Sequence, residues 1–474
     1  MIPNRNHLLE GPIARSLLRL ALPIVLANVL QAAYQLIDAF WVGRLGGAAV
    51  ASVSVSAPVM FLTIALGVGF AVAGSTLIAQ YFGAGNKDMV DHVAAQTLLM
   101  ILAVSVLLGA LGYIFTPQLL HLMGVSPEVY DGALGFMRVS FIGLVFNFFF
   151  FMFQSIMRGV GEARLQVYIV LGTVILNFIL DPLFIFGWGP IPAMGVKGAA
   201  IATVGTQSIA AFIGLAVLLK GKYGIHLVWK DFRPDPVFIK RAFLLGFPAS
   251  IEQSARALGL TVLTFLIASF GTLTVAAYGV GSNMLQVVII PAMGLSMSIS
   301  TLVGQNIGAG NIKRAAEIGK LGTLIGFGVL SFIGILVFIF APHIVAFFVP
   351  GDAAVISAGA EFLHIVALSW GFMAIQLCLT GVLRASGNMM TTMILALVSQ
   401  WVLQFPLAYV LSKHTSLGIA GLWWAFTATN IIIAVITMLW YAKGDWKKKR
   451  LTTPDEKLVS KVAEEVEEEE GMRH

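Results

Sequence analysis

Asp38 is a carboxylate inside an otherwise apolar stretch, Asn28-Val-Leu-Gln31-Ala-Ala-Tyr-Gln35-Leu-Ile-Asp38-Ala-Phe-Trp41. Asn28, Gln31, Gln35 and Asp38 follow one another at spacings of three, four and three, so they form one stripe on an α-helix. The surrounding run is long enough to cross the roughly 30 Å hydrocarbon core of a bilayer. A carboxylate at that depth costs about 3 kcal/mol or more unless it faces water, a partner or a protein interior. Asp38 is therefore expected to carry an ion or a ligand contact; the alternative is a packing stripe in which it pairs with an arginine.

A second acid supplies a partner. Asn177 and Asp181, in Asn177-Phe-Ile-Leu-Asp181-Pro182, are four apart and share a helix face. Asp38 and Asp181 each precede the end of their segment, at Arg44 and Gly187, by six residues. If both segments run outward, the two acids lie at equal depth, about 9 Å below the outer boundary. Pro182 frees the Phe178 carbonyl, and Thr203 could add a hydroxyl. Asp38, Asn177, Asp181 and Thr203 thus make a donor set for Na⁺. The same two acids, desolvated and mutually repelling, could instead hold a proton. Residue types alone do not choose between H⁺ and Na⁺, and no resident cofactor is expected.

Other polar groups in apolar surroundings extend the candidate site. Arg138 lies about seven residues from the outer end of its segment, so it either reaches an acid or extends toward the headgroups. Glu252 and Arg256, four apart, are expected to pair on one helix face, as a structural ion pair or as part of a substrate cavity with Gln31 and Gln35. Pro23 interrupts the first segment and Pro248 the seventh, each a static kink or a hinge.

The elements that carry these residues must be membrane helices. The 474 residues are 58% hydrophobic and 11% charged, with 49 Gly and 33 Phe and a mean hydropathy of +0.91, a composition foreign to soluble domains. The only cysteine, Cys378, excludes an internal disulfide and a cysteine metal site. Residues 1–14 lack the apolar core and small-residue cleavage site of a signal peptide. Twelve apolar segments follow between residues 15 and 442, with 356–383 and 390–412 each read as one continuous span. Of the 29 Lys and Arg, 24 fall on the side of the termini, three on the other, and Arg138 and Arg256 within helices. That bias places both termini in the cytoplasm and the chain in an inner, or cell, membrane. The net charge of +6 then reflects a lipid-facing basic surface and implies no nucleic acid.

Motifs recur with a period near 225. Leu20-Ala-Leu-Pro23 matches Leu245-Gly-Phe-Pro248; Gln80-Tyr-Phe-Gly83-Ala84-Gly85-Asn86 matches Gln305-Asn-Ile-Gly308-Ala309-Gly310-Asn311; Arg158-Gly-Val-Gly161 matches Arg384-Ala-Ser-Gly387. Each half holds six helices, so the expected fold is an all-α membrane protein with two six-helix lobes related by a parallel repeat, an architecture of secondary transporters. The organisation reads as an N-terminal segment 1–14, a lobe 15–219, a cytoplasmic linker 220–240, a lobe 241–442 and a charged tail 443–474. In the tail, a basic block at 447–450 precedes an acidic one at 464–470, and the whole reads as solvated. The glycines of the Gln-x-x-Gly-Ala-Gly-Asn motif read as helix stops.

The combination of Asp38 in Tyr34-Gln-Leu-Ile-Asp38-Ala-Phe-Trp-Val-Gly43, the Gln80 to Asn86 loop, Arg158-Gly-Val-Gly161-Glu162 and the double six-helix repeat resembles the multidrug and toxic compound extrusion (MATE) antiporters over about residues 10–442. The pair Asp38 and Asn177 to Pro182 is similar to the DinF-like branch, whose cation site lies in the amino-terminal lobe. The chain departs from the NorM-like branch: Met373 stands near the place of its acid in helix ten, and Glu252 lies about one turn early. The resemblance implies that bending at Pro23 accompanies protonation of the first lobe.

The expected function is antiport: export of amphipathic or cationic organic compounds against inward H⁺ or Na⁺ by a monomer. A flippase for lipid-linked glycans, or an exporter of another small metabolite on the same architecture, is the alternative. The flippase should show a cationic cavity, for which only Arg138 and Arg256 are available. A membrane enzyme would need a catalytic cluster, and His364 has no evident partner; a channel would rarely need a whole-lobe duplication.

Overall fold

The computed structural model describes residues 5–452, with side chains from residue 8 onward. The acidic block at 464–470 lies outside the described residues. A short helix α1 (Arg5–Glu10) precedes six long helices: α2 (Ile13–Gly43), α3 (Gly47–Ala84), α4 (Lys87–Leu122), α5 (Pro127–Gly159), α6 (Arg164–Phe186) and α7 (Gly195–Lys220). The second half comprises α8 (Pro236–Ala268), α9 (Thr272–Gly308), α10 (Ile312–Phe348), α11 (Ala353–Ala367), α12 (Trp370–Ala385), α13 (Met389–Leu397), α14 (Phe405–Lys413) and α15 (Ile419–Lys443). Among the described residues, eleven spans are long and apolar enough to cross a bilayer, and the bent pair α11 and α12 makes a twelfth. The result is the all-α, two-lobe arrangement that the composition and the repeat imply.

Two spans differ from their expected form. The segment read as 356–383 breaks between α11 and α12 with a bend of 50°. Ser369 sits at the break, where its hydroxyl donates to the Val366 carbonyl and accepts from Asn430 Nδ2 at 2.9 Å. A serine that bonds its own helix and a neighbouring side chain relaxes the regular ladder. The segment read as 390–412 contains a π-helical stretch, Val398–Gln404, between α13 and α14. Pro406 follows it, and a proline that cannot donate to the preceding turn favours such a widening.

Each lobe begins against the other. The first turns of α2, with Leu17, Leu20 and Ile24, share a core cluster with Leu295, Ile299 and Leu302 of α9. At the repeat-equivalent place, Phe238 and Ala242 of α8 pack among Val90, Val93 and their neighbours in the first lobe. Pro23 lies within the α2 crossing, between Leu20 and Ile24, and Pro248 lies between Ala242 and the contact of Ser250 with Gly69; each is inside an unbroken helix.

The lobes touch where backbones can approach. A Cβ on Gly83 would lie 1.9 Å from the Gln305 carbonyl oxygen, and one on Gly308 would lie 1.9 Å from that of Gln80. Gly69 is equally tight against Ser250, whose hydroxyl donates to the Leu66 carbonyl at 2.6 Å. Gln80 Nε2 donates to the Ala385 carbonyl at 2.7 Å and Gln305 Nε2 to that of Gly159 at 2.9 Å. The contacts of Gly83, Gln80, Gly308 and Gln305 lie at the ends of α3 and α9, whereas Ser250 of α8 meets α3 near its middle, at Leu66 and Gly69.

This refines the reading of the repeated glycines. Gly85 and Gly310 adopt the positive φ, 79° and 82°, that ends a helix. Gly83 and Gly308 lie inside α3 and α9 and serve the crossing instead. The tail also needs correction, since its first part is packed: Trp446 is 1% exposed and stacks on Tyr441, and Leu451 is 6% exposed.

The crossing makes a stability prediction. Gly83→Ala places a methyl against backbone and should destabilise the protein by about 1–3 kcal/mol. Gly172→Ala, on an open face of α6 with nothing within 4 Å of its Cβ position, should be neutral or slightly stabilising. The midpoint of thermal unfolding in detergent should fall for the first variant only.

Candidate functional site

Helices α2 and α6 pack side by side, with α7 against both. Tyr34 and Asp38 on α2, and Asn177 and Asp181 on α6, are each one turn apart, so two pairs of polar groups meet across one helix interface. Asn177 is the centre of the arrangement. Its Nδ2 donates to Asp38 Oδ1 at 2.5 Å and to Asp181 Oδ2 at 2.9 Å. Its Oδ1 accepts the Tyr34 hydroxyl at 2.7 Å. The Tyr34 hydroxyl also meets Thr206 Oγ1 at 2.6 Å, and Thr203 Oγ1 donates to Asp38 Oδ2 at 3.4 Å.

Burial grades across this cluster. Asn177 and Asp181 are fully buried, Tyr34 is 2% exposed, and Asp38 is half-buried. Among the described residues, Asp181 Oδ1 is buried with no hydrogen-bond partner. Both amide hydrogens and the amide oxygen of Asn177 are used, so its orientation is fixed by its neighbours. The four residues predicted as an ion site, Asp38, Asn177, Asp181 and Thr203, are therefore brought together. Sequence reasoning missed Tyr34 and Thr206. The signal for Tyr34 was present: it stands one turn before Asp38, as Asn177 stands before Asp181.

Asp38 faces two ways. Behind it are Asn177 and Asp181; in front is a cavity of about 380 Å³ lined by α2, α3, α5 and α7. Its polar lining includes Gln35, Asp38, Asn147, Thr203 and Gln207, set among apolar groups such as Met60, Phe61 and Phe136. Asn147 Oδ1 is buried and unpartnered. Of the residues predicted to form a substrate cavity, Gln35 lines this one, whereas Gln31, Arg138, Glu252 and Arg256 do not.

The arginines have other roles. Arg138 stacks over the Tyr113 ring at 4.9 Å and bonds neither acid, a cation–π contact. Glu252 is fully buried on α8, and Arg256 approaches it at 3.3 Å as the spacing predicts. A nearer partner comes from α12: Arg384 Nη2 donates to Glu252 at 2.5 Å and its Nε at 3.3 Å. Glu252 is thus held between two arginines, a structural ion triad whose interruption would leave a buried charge. In the sequence Arg384 stands out only as the first residue of the repeated Arg384-Ala-Ser-Gly387 motif, which gives no pointer to Glu252.

An acid that opens onto a mostly apolar cavity and shares a buried amide with a second acid is suited to exchanging a cation against a bound organic molecule. Comparisons with known proteins agree with a carrier. The MatE family model matches residues 23–183 and 248–410, one stretch in each lobe. The chain is 30% identical over 443 residues to "Probable multidrug resistance protein YoeA" of Bacillus subtilis, covering 92% of this chain and 95% of that protein. It is 27% identical to a protein named FAD transporter from Shewanella oneidensis, over 91% of this chain and 95% of that one. A solved structure described as the outward-facing conformation of a multidrug resistance MATE family transporter of the MOP superfamily superposes with a TM-score of 0.86 at 25% identity, covering 94% of this chain and 98% of that one. The chain belongs to the MATE family of multidrug efflux transporters, multi-pass membrane carriers and not enzymes.

Proposed function

We propose that this chain exports amphipathic or cationic organic compounds in exchange for protons, and that Asp38 and Asp181 share the exchanged proton. The observation that carries the reading is the orientation of Asn177. Its amide gives both N–H bonds to the two carboxylates and turns its oxygen to Tyr34. Two ionised acids joined through one amide, with no ion pair to a lysine or arginine among the described residues, form a site that is lower in energy with one added positive charge. Na⁺ would need oxygen ligands, and the Asn177 oxygen faces away from both acids. Its use would break the Tyr34 bond.

The mechanism is linkage through Asp38. A cation bound in the 380 Å³ cavity gains from an ionised Asp38, whereas a proton on the acids removes that attraction. Proton and substrate then bias one two-state equilibrium in opposite directions. Met60, Phe61 and Phe136 give the cavity an adaptable apolar lining suited to varied substrates. Pro23 is proposed as the point where α2 bends as the first lobe takes up its proton, and the acids' place in that lobe supports the DinF-like branch. The basic side, with 24 of 29 Lys and Arg, supports an inner-membrane orientation with cytoplasmic termini. The crossings of α3, α8 and α9 then close the cytoplasmic end, and the cavity opens outward. Nothing in this scheme requires more than one copy.

The flippase reading and a phosphate-bearing substrate are less favoured. The cavity lining holds an acid and amides, and Arg138 and Arg256 are engaged away from it.

Two outcomes test the proposal. Dye efflux from cells or vesicles should collapse when the H⁺ gradient is dissipated and persist when only the Na⁺ gradient is removed, and Asp38→Asn, confirmed in the membrane, should be inactive. Loss with the Na⁺ gradient alone would reassign the ion; normal efflux by Asp38→Asn would remove the acid from the mechanism. Tyr34→Phe leaves the Asn177 oxygen without its donor, a loss of about 1–2 kcal/mol in a buried network. Its efflux rate should fall about tenfold with normal insertion, and an unchanged rate would show that the amide is held without Tyr34.

A further inference from the structure

Gln80 and Gln305 are equivalent in the repeat, and each donates from Nε2 to the residue that ends the facing helix, Ala385 of α12 and Gly159 of α5. Their carbonyls differ. Among the described residues, Gln305 Oε1 is buried with no partner. Gln80 Oε1 accepts the backbone N–H of Leu451 at 2.8 Å in a buried bond. Among the described residues, one glutamine at this end therefore has a second attachment that its twin lacks, and the chain segment after α15 supplies it.

That segment, residues 444–452, touches both lobes. Trp446 is buried against Tyr441 and its Nε1 donates to the Tyr441 carbonyl at 3.2 Å. Arg450 donates to the carbonyl of Gly308, the last residue of α9, and Arg241 of α8 donates to the carbonyl of Leu451. The Leu451 side chain covers Gly387, lying 2.8 Å from where a Cβ would stand. It nevertheless belongs to the core cluster of the first lobe. At the other end of the chain Leu8 covers Gly161, the repeat-equivalent glycine. Both glycines have positive φ, 83° and 81°, and make room that a leucine from each chain end fills.

The geometry ties this strap to one access state. Leu451 rests on Gly387 of the second lobe while its N–H is held by Gln80 of the first. Parting α3 from α12 must break the Gln80 to Ala385 bond, and Leu451 cannot then keep both contacts. A segment that gains contacts in only one of two states shifts the balance toward that state. We propose that residues 444–452 are a latch that stabilises closure at the α3–α9 crossing and must lift before that end opens, so that the C-terminal segment sets the resting balance of the carrier. The inference rests on alternating access alone and is independent of which ion is exchanged.

Pulsed EPR distances on the full-length carrier in lipid nanodiscs test it. Spin labels at Lys87→Cys and Lys313→Cys, exposed positions that begin α4 and α10 beside the crossing, report its opening in a Cys378→Ala background. Leu451→Pro removes both the N–H that Gln80 accepts and the side chain that covers Gly387. Gln80→Leu and Gln305→Leu each lose their Nε2 bond across the crossing, and only the first also loses the bond to Leu451. Gln80→Leu should raise the ratio of open to closed distances about fivefold more than Gln305→Leu, the factor for one lost hydrogen bond, and Leu451→Pro should raise it at least as much over wild type. Equal shifts in the two glutamine variants, or wild-type distances in folded Leu451→Pro, would overturn the latch; should Leu451→Pro fail to fold, the glutamine pair decides alone. The distances are read without substrate or gradient, so an error in the proton assignment would leave this result untouched.

Discussion

The structure of the site depends on one amide. Asn177 stands between two carboxylates in the low-dielectric interior of the first lobe and gives each of them one N–H. Without it, Asp181 would have no donor and Asp38 only the long Thr203 bond, with no counter-ion for either, an arrangement that costs several kcal/mol in a membrane. The amide keeps both acids in place without neutralising them, and in the proposed function that leaves one positive charge to be exchanged with the solution. Tyr34 and Thr206 fix the amide in turn. The chemistry needs residues from three helices, which is why α2, α6 and α7 must pack as a unit.

The second lobe shows what the first would be without that purpose. Its buried acid, Glu252, is compensated by Arg256 and Arg384, which fixes its charge and suits it to holding α8 to α12. The two lobes share a repeat but divide the work: one keeps an uncompensated acid pair, and the other a compensated triad. Between them lies the crossing of α3 and α9, where glycines allow the backbones to touch. Close contacts of this kind are either made or broken, so they suit a carrier that alternates between two states.

Much of this was legible in the sequence because a helix imposes its spacing. The four-residue interval of Asn177 and Asp181 and their depth relative to Asp38 follow from 1.5 Å per residue, and the repeat gave the two lobes. What escaped has physical reasons. Tyr34 reads as apolar in a membrane helix although its hydroxyl orders the site. Arg384 meets Glu252 across 132 residues of chain, a distance that no helical periodicity encodes. The break at Ser369 and the π-helical stretch before Pro406 sit in continuous apolar runs, whose hydropathy is blind to backbone geometry. Gly83 and Gly85 stand in one motif, yet one packs and the other turns, a difference set by the opposing helix. The tail seemed solvated because Lys447, Lys448, Lys449 and Arg450 dominate it, while Trp446 and Leu451 are the residues that anchor it.

The most direct measurement of the central claim is proton release on binding. An amphipathic organic cation is added to the purified carrier in unbuffered detergent solution while the pH is recorded, with wild type and Asp38→Asn compared. The account predicts release of about one proton per cation bound by the wild type and none by the variant. Tight binding by the wild type without a pH change, or equal release by Asp38→Asn, would contradict it.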